Sequence, residues 1–432
     1  MLQIALLLLG SSFVKRTLPY LLPLSLIWGF TGMAIFIDGL DGVIFDGFCY
    51  FILLESITTL MITPTVIGFQ RNIILVKGAI FLCGAIVALI NVKSSNILLS
   101  LAFGLVYFAV GVFNISSAFV VRFSHWKKAI LWGFIQIGYS LFLLMNNDYV
   151  ISYVLGFIMI TASVKSIYFL FRVYFSKNNS AIYPLLNNNT NVSSLNTLAG
   201  SQRTHHDLPL TIHIWTPEGS AENPYIPRPI INRYIAATDI TGVISTGHAA
   251  VEVGKDLYIS LYPKDEIERS PSEFINTLKA IPENNVAGRY LPDYQSEVAE
   301  WCESNIQIQF SKYNRHTLEQ FWQQNSSKPI YNLTSNNCSS NTAYALEAAL
   351  DSVLHDNNPS MLTLIKLMIK PELWLAAQIR HRAIMMAWTP GLTMDYSRTL
   401  QTIVHPVTVP WYQCNLLQKL PLRHLKSAII RH

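Results

Sequence analysis

The sequence predicts two architectures in one chain: an all-α six-helix transmembrane bundle, then an α+β domain built on an antiparallel sheet, with further helices at its C-terminal end. Three observations carry that expectation. Of 432 residues, 51% are hydrophobic and only 13% charged, which is poor in charge for a water-soluble chain. Apolar segments of span length fill residues 18–172, whereas period-two alternation and turn signals begin at Leu208. Charge divides at the same place. Residues 1–206 carry 12 Lys and Arg against 5 Asp and Glu, a net of +7, and residues 207–432 carry 19 against 21, a net of −2.

The spans are expected at 18–38, 44–66, 72–92, 96–121, 128–146 and 149–172, each near the ~20 residues that cross the hydrocarbon. Lys15, Arg16, Arg71, Arg122, Lys127, Lys128, Arg172 and Lys177 occupy alternate connections, and Asp38, Asp41, Asp46, Asn146, Asn147 and Asp148 the others, with Lys93 the exception. By the positive-inside rule this predicts a multi-pass protein of the inner (cytoplasmic) membrane with both termini in the cytoplasm. Met1 to Val14 is apolar but reaches only ~21 Å as a helix, too short to cross, and is expected to lie in the interface, a signal peptide being the alternative. Gly29, Gly32, Gly78, Gly84, Gly104, Gly111, Gly133 and Gly138 allow close helix approach. Glu55 falls near the middle of the second span, where an ionisable group suggests a role, with no second acid or paired Arg at similar depth. The six compact, Gly-punctuated spans resemble the HdeD-like acid-resistance membrane proteins over about 18–175.

The domains are read as 1–175 for the bundle, 176–207 for a flexible linker rich in Asn, Ser and Thr, 208–355 for the α+β domain and 356–432 for a helical extension. Leu210 to Trp215, Gly242 to Val253 and Leu257 to Tyr262 alternate as strands, the last two joined across Gly254-Lys255-Asp256. Ser270 to Ala280 reads as a helix with Ser270 as cap and Phe274, Ile275 and Leu278 on one face. Ile306 to Phe310 is a further strand, and Tyr331 to Leu333 an edge strand. Asn337 caps a helix running to about Leu354, with Leu346, Ala349, Leu350 and Val353 at core spacing. Residues 359–432 hold amphipathic helices with a turn at Trp388-Thr389-Pro390-Gly391. They are expected to cover the sheet and dock on the bundle, although Arg380, His381, Arg382, Arg423, His424, Lys426 and Arg431 suit anionic headgroups.

Chemistry is concentrated at two points. His248 opens a strand behind Gly247, and Cys338 opens a helix behind Asn337, 90 residues later. A thiol is a nucleophile only as thiolate, and a helix N-terminus and an imidazole both lower its pKa. The backbone amide of Cys338 would be placed to stabilise an oxyanion. A strand-borne Gly-His, a Tyr-x-Ser-x-Tyr-Pro strand, and Asn-Cys at a helix start resemble the circularly permuted NlpC-type papain-like hydrolases, which include the lecithin:retinol acyltransferase-like group. The resemblance covers about 208–355. It implies Cys338 as nucleophile, His248 as general base, and a third polar residue on the strand after the histidine. That strand offers Ser260 or Tyr262. With a three-residue turn, Tyr262 pairs opposite His248 and Ser260 lies diagonal to it on the same face, and the choice falls on Ser260. Glu252 shares the face but lies ~13 Å along the strand.

Other candidates read as structural. Cys302 sits among acidic neighbours in Glu300-Trp301-Cys302-Glu303, and His213 and His316 read as satisfied or solvated. Cysteines at 49, 83, 302, 338 and 414, without a CxxC, indicate neither a disulfide framework nor a zinc site, so no metal or cofactor is expected. The slightly acidic second half lacks a basic run, which argues against nucleic acid as a partner. The expected activity is a membrane-anchored cysteine hydrolase or acyltransferase acting on an amide or ester of lipid acyl, peptide or protein. The alternatives are a non-catalytic stress or interaction protein with a degenerate papain-like module, and a cysteine-peptidase toxin delivered to another cell.

Overall fold

A computed structural model describes residues 1–38, 43–65, 69–90, 92–123, 125–146, 150–176, 180–186, 205–265, 274–327, 329–355 and 359–406. The chain divides into two compact units, residues 1–40 with 96–404, and residues 41–95 with 405–432. The calls on Ser270, Pro271, most of the linker, Cys414 and the tail cations Arg423, His424, Lys426 and Arg431 lie outside the described residues.

Among the described residues, the smaller unit holds α3 (Val43–Ile62), α4 (Phe69–Ile90) and the first residues of the next helix; the larger begins with α1 (Leu2–Leu9) and α2 (Ser11–Asp38). Gly78 of α4 lies where a Cβ would come within 2.7 Å of Leu60 on α3. Glu55 is not alone at its depth: Lys77 of α4 pairs with its Oε1, and Thr59 donates to the same oxygen at 3.0 Å. Lys77 lies 22 residues further along the chain, so nothing in the local sequence pairs it with Glu55. A long apolar stem carries the ammonium to the carboxylate across the hairpin.

The larger unit continues with α5 (Val92–Val121), α6 (Trp126–Met145) and α7 (Val150–Tyr174). Among the described residues, five helices are long and apolar enough to cross a membrane, over Ser11–Ile37, Arg71–Ile90, Leu99–Val121, Trp126–Met145 and Ser152–Tyr174. The segment expected as the second span carries a shorter apolar run, Cys49–Ile62. Small residues set the spacing at several helix contacts, whereas Gly84 and Gly138, expected to do the same, have nothing within 4 Å of an added Cβ. Gly32 of α2 and Gly156 of α7 each abut the other's carbonyl, and Gly111 of α5 and Gly133 of α6 do the same.

After α8 (Tyr183–Leu186) come β1 (His205–Trp215), α9 (Pro229–Tyr234), β2 (Ala237–Thr238), β3 (Ile244–Ser245), β4 (His248–Val253), β5 (Leu257–Ile259) and β6 (Leu261–Pro263). Then follow α10 (Phe274–Thr277), β7 (Val286–Tyr290), α11 (Tyr294–Glu300), β8 (Ile306–Lys312), α12 (Arg315–Ser326), β9 (Ile330–Tyr331), α13 (Cys338–Leu350), α14 (Met361–Ile369), α15 (Pro371–Met385) and α16 (Pro390–Val404). A four-stranded antiparallel sheet has the order β5-β4-β1-β8, and a second sheet the order β6-β7-β9. The expected strand over 242–253 is broken at Gly247, and that over 257–262 leaves one sheet for the other at Ser260.

Alternation sorts the sheet's faces. Leu210, Ile212, Ile214, Ala249, Val251, Ile259, Ile308 and Phe310 meet α13 in the main core, while Trp215, Ala250 and Tyr258 face a smaller aromatic cluster. Every residue of α13 except Tyr344 is buried, and its alanines let neighbours approach it from all sides. One of those neighbours is α1. The expectation of an interfacial helix there is not met: Ile4 to Leu9 are fully buried in the main core, and the Leu7 and Leu8 carbonyls accept from the Ser352 and Leu354 amides. From Ile4 to Leu9 the helix is apolar all round, which suits it to a core.

The start of the expected linker is docked too. Ala181, Ile182 and Tyr183 are buried, and the Asp351 carboxylate at the end of α13 accepts from the Ile182 and Tyr183 amides. Four helix ends gather beside the sheet domain: the starts of α2 and α6 and the finishes of α5 and α7. Lys15 donates to the Ser176 carbonyl, the Ala280 amide to the Val121 carbonyl, and Trp126, Ala129 and Ala280 pack against a cluster of Ala118, Val121, Phe123 and Met385.

Candidate active site

Gly247 is the residue that lets β4 begin where it does. Its φ is +70°, and an added Cβ would stand 2.3 Å from the Trp215 carbonyl oxygen, so only glycine fits. The next residue, His248, pairs across the sheet with Trp215. The register Val253↔Leu257 leaves Gly254, Lys255 and Asp256 as a three-residue turn, which puts Ser260 and Tyr262 on the face of His248. The Tyr262 ring stacks on the imidazole at 4.2 Å between centroids, and Trp215 covers it at 5.5 Å. Buried between these rings, the imidazole has little rotational freedom.

Its Nε2 lies 2.8 Å from Ser260 Oγ and 3.2 Å from Glu297 Oε1. Glu297, on α11, is fully buried and accepts from three hydroxyls, those of Tyr258, Ser260 and Tyr262. Ser260 gives its proton to Glu297, so its oxygen is the acceptor for Nε2–H. That fixes the tautomer and leaves Nδ1 as the ring nitrogen for the neighbouring Cys338, whose thiol and the imidazole act on each other electrostatically.

Cys338 starts α13 behind a fully formed cap. The Asn337 side chain accepts from the Ser340 amide while Ser340 Oγ accepts from the Asn337 amide. Asn337 Nδ2 donates to the Leu333 and Trp388 carbonyls, and Asn336 Nδ2 to the Ile330 carbonyl, so both asparagine side chains hold the loop. The amides of Cys338 and Ser339 precede the first intrahelical bond, which Asn341 makes to Asn337. Neither is used by the helix's own hydrogen bonds.

Burial pushes the Cys338 thiol up, but the charge and hydrogen bond of His248, with help from Ser339 and the Ala249 amide, hold it below the ordinary cysteine value. For His248, burial acts to lower the pKa. The facing thiolate and the Glu297 carboxylate outweigh it, and the imidazole lies above its ordinary value. The two shifts are coupled, the charged form of each group favouring the charged form of the other.

A cleft of about 510 Å³ reaches this place, lined among others by Thr246, His248, Tyr262, Glu297 and Trp301. Cys338 is not part of its lining and keeps 8% of its surface exposed.

The structure thus brings Cys338, His248 and Ser260 together and adds Glu297, which sequence reading missed. Glu297 arrives from a helix outside the His strand and the strand after it. The available signal was Asp293, whose side chain caps α11 by accepting from Ser296 and places Glu297 in the first turn. Glu252 instead pairs with His213 at 2.9 Å, and Ser304 holds that imidazole's Nδ1 at 3.0 Å, a fastening of β1 to its neighbours. The half-buried Cys302 thiol is pushed up by burial and by Glu297. His316 shares a hydrogen bond with Gln320. Among the described residues, no group of three or more His, Cys, Asp and Glu is gathered for a metal. Comparison with protein-family models, curated proteins and solved structures finds no match for this chain.

Proposed function

We propose that this protein is a membrane-embedded cysteine hydrolase or acyltransferase of the permuted papain-like kind, with Cys338 as nucleophile and His248 as its acid and base. The observation that carries this reading is the buried grouping of Cys338, His248, Ser260 and Glu297, in which Ser260 and Glu297 meet one nitrogen of an imidazole that holds the Cys338 thiol below its ordinary pKa. In the reaction, the thiolate attacks the carbonyl carbon of an amide or ester, forming a C–S bond, and the first amides of α13 stabilise the oxyanion. The imidazolium then gives its Nδ1 proton to the leaving nitrogen or oxygen as the C–N or C–O bond breaks. Water, or an acceptor amine or alcohol, passes a proton to His248 and attacks the thioester. The C–S bond breaks, and the thiolate and imidazolium are restored. Ser260 and Glu297 hold the ring and offset its charge throughout. We read the membrane part as six spans with cytoplasmic termini, a reading that favours lipid acyl groups and peptide or protein amides as substrates.

An activity-based thiol probe tests the proposal on the full chain in vesicles. Labelling lost in Cys338→Ala, strongly slowed in His248→Ala and kept in Cys302→Ala is the expected pattern. A wild-type Cys338 that reacts no faster than free cysteine near neutral pH sinks it. The low exposure of the thiol favours a second reading, a degenerate binding module, and that same outcome would point to it.

A further inference from the structure

We propose that the α14–α15 hairpin lies in the plane of the membrane surface, with Leu362, Ile365 and Ile369 of α14 and Trp374 of α15 seated among lipid acyl chains. These four large apolar side chains are between 49% and 57% exposed. On α14 they recur at i, i+3 and i+7, which is one stripe of a helix, while Leu364 and Leu367 on the opposite side are buried in the main core. The helix therefore has two apolar faces, and the protein covers only one.

What covers the other follows from where the hairpin is tied. At its start, Arg16 near the base of α2 donates to the Pro359 carbonyl at 2.5 Å, one residue before the Ser360 cap. At its finish, Ser117 near the end of α5 donates to the Met385 carbonyl, and the Arg382 guanidinium lies over the Phe113 ring at 5.0 Å. Both helices are span-capable, and these are the ends that gather beside the sheet domain. The hairpin thus runs from the foot of one span to the foot of another, at the depth where headgroups meet acyl chains. Its outward cations, Lys366 and Arg382, suit anionic headgroups, and a tryptophan at this depth is typical of interfacial anchors.

The inference rests on reading α2 and α5 as spans, and the test separates the two. Full-length protein in phosphatidylcholine–phosphatidylglycerol vesicles would carry the photocrosslinker benzoylphenylalanine, one position at a time. The positions are Ile365, Ile369, Phe134 on the outer face of α6, and Glu303 in the exposed loop after α11. Lipid adducts by mass spectrometry are expected at 365, 369 and 134, with at least about a tenfold lower yield at 303. An adduct at 134 with none at 365 and 369, or with a crosslink there to a second copy of the chain, overturns the proposal and leaves the spans standing. No adduct at 134 removes the spans and the proposal with them, and a yield at 303 equal to that at 365 also overturns it.

Discussion

His248 is held by rings on two sides and by a hydroxyl and a carboxylate at one nitrogen, so its orientation is over-determined before any substrate arrives. Of the two polar partners, the carboxylate supplies the charge and the hydroxyl supplies direction. Glu297→Gln should therefore lower kcat/KM by about 100-fold, and Ser260→Ala by about 10-fold or less, because Glu297 Oε1 still lies within reach of Nε2. A larger loss in Ser260→Ala than in Glu297→Gln would reverse these roles. The pH profile carries the same information. With the thiol held low and the imidazole high, alkylation of Cys338 in the wild type should reach half its plateau at a lower pH than an ordinary cysteine. Without the Glu297 charge the imidazolium is weaker, so that midpoint should move up and the basic limb of the activity profile should move down. An unshifted profile in Glu297→Gln would deny the carboxylate any electrostatic part.

Among the elements, α13 does most of the positioning, since it carries the thiol at one end and Asp351 at the other, with nearly all its surface enclosed. Its neighbour α1 closes the core from the side of the bundle. Leu7 is fully buried there, and Leu7→Ala should cost about 2–5 kcal/mol and lower the thermal transition of the protein by several degrees. A helix lying on lipid would lose far less, so an unchanged transition temperature would return α1 to the interface. Amphipathic periodicity could not decide this, because Leu2 to Leu9 carries a single polar residue, Gln3, at its first turn.

At the scale of the whole molecule, Asp351 joins the chain leaving α7 to the helix that bears the thiol. Burial pushes its carboxyl up to about 7 from an ordinary 3.8, against the hydrogen bonds from Tyr183, Ser352 and Ile182, which lower it. A raised folded value means that the native state still holds a proton the unfolded chain has released. Stability from this group is full below about pH 4 and is lost as pH rises towards about 7, by an amount on the order of 4 kcal/mol. Thermal melts across that window should show the decline in the wild type, and Asp351→Asn, which keeps an acceptor oxygen, should flatten it. Parallel slopes in the two proteins would show that the proton resides elsewhere.

The sequence by itself determined what local patterns can encode: the long apolar helices, the alternation of the strands, the three-residue turn that puts Ser260 and Tyr262 beside His248, and the Asn337 cap that sets Cys338 in a first turn. Each depends on residues a few positions apart, where propensity, parity and capping act directly. Only the tertiary structure decided that Glu297 would meet Ser260 from 37 residues away, that Lys77 would find Glu55, and that Leu2 to Leu9 would be enclosed by protein. A buried carboxylate is chosen by whatever donors surround it, and an apolar helix by whatever surface encloses it, and neither neighbour is written beside it in the chain.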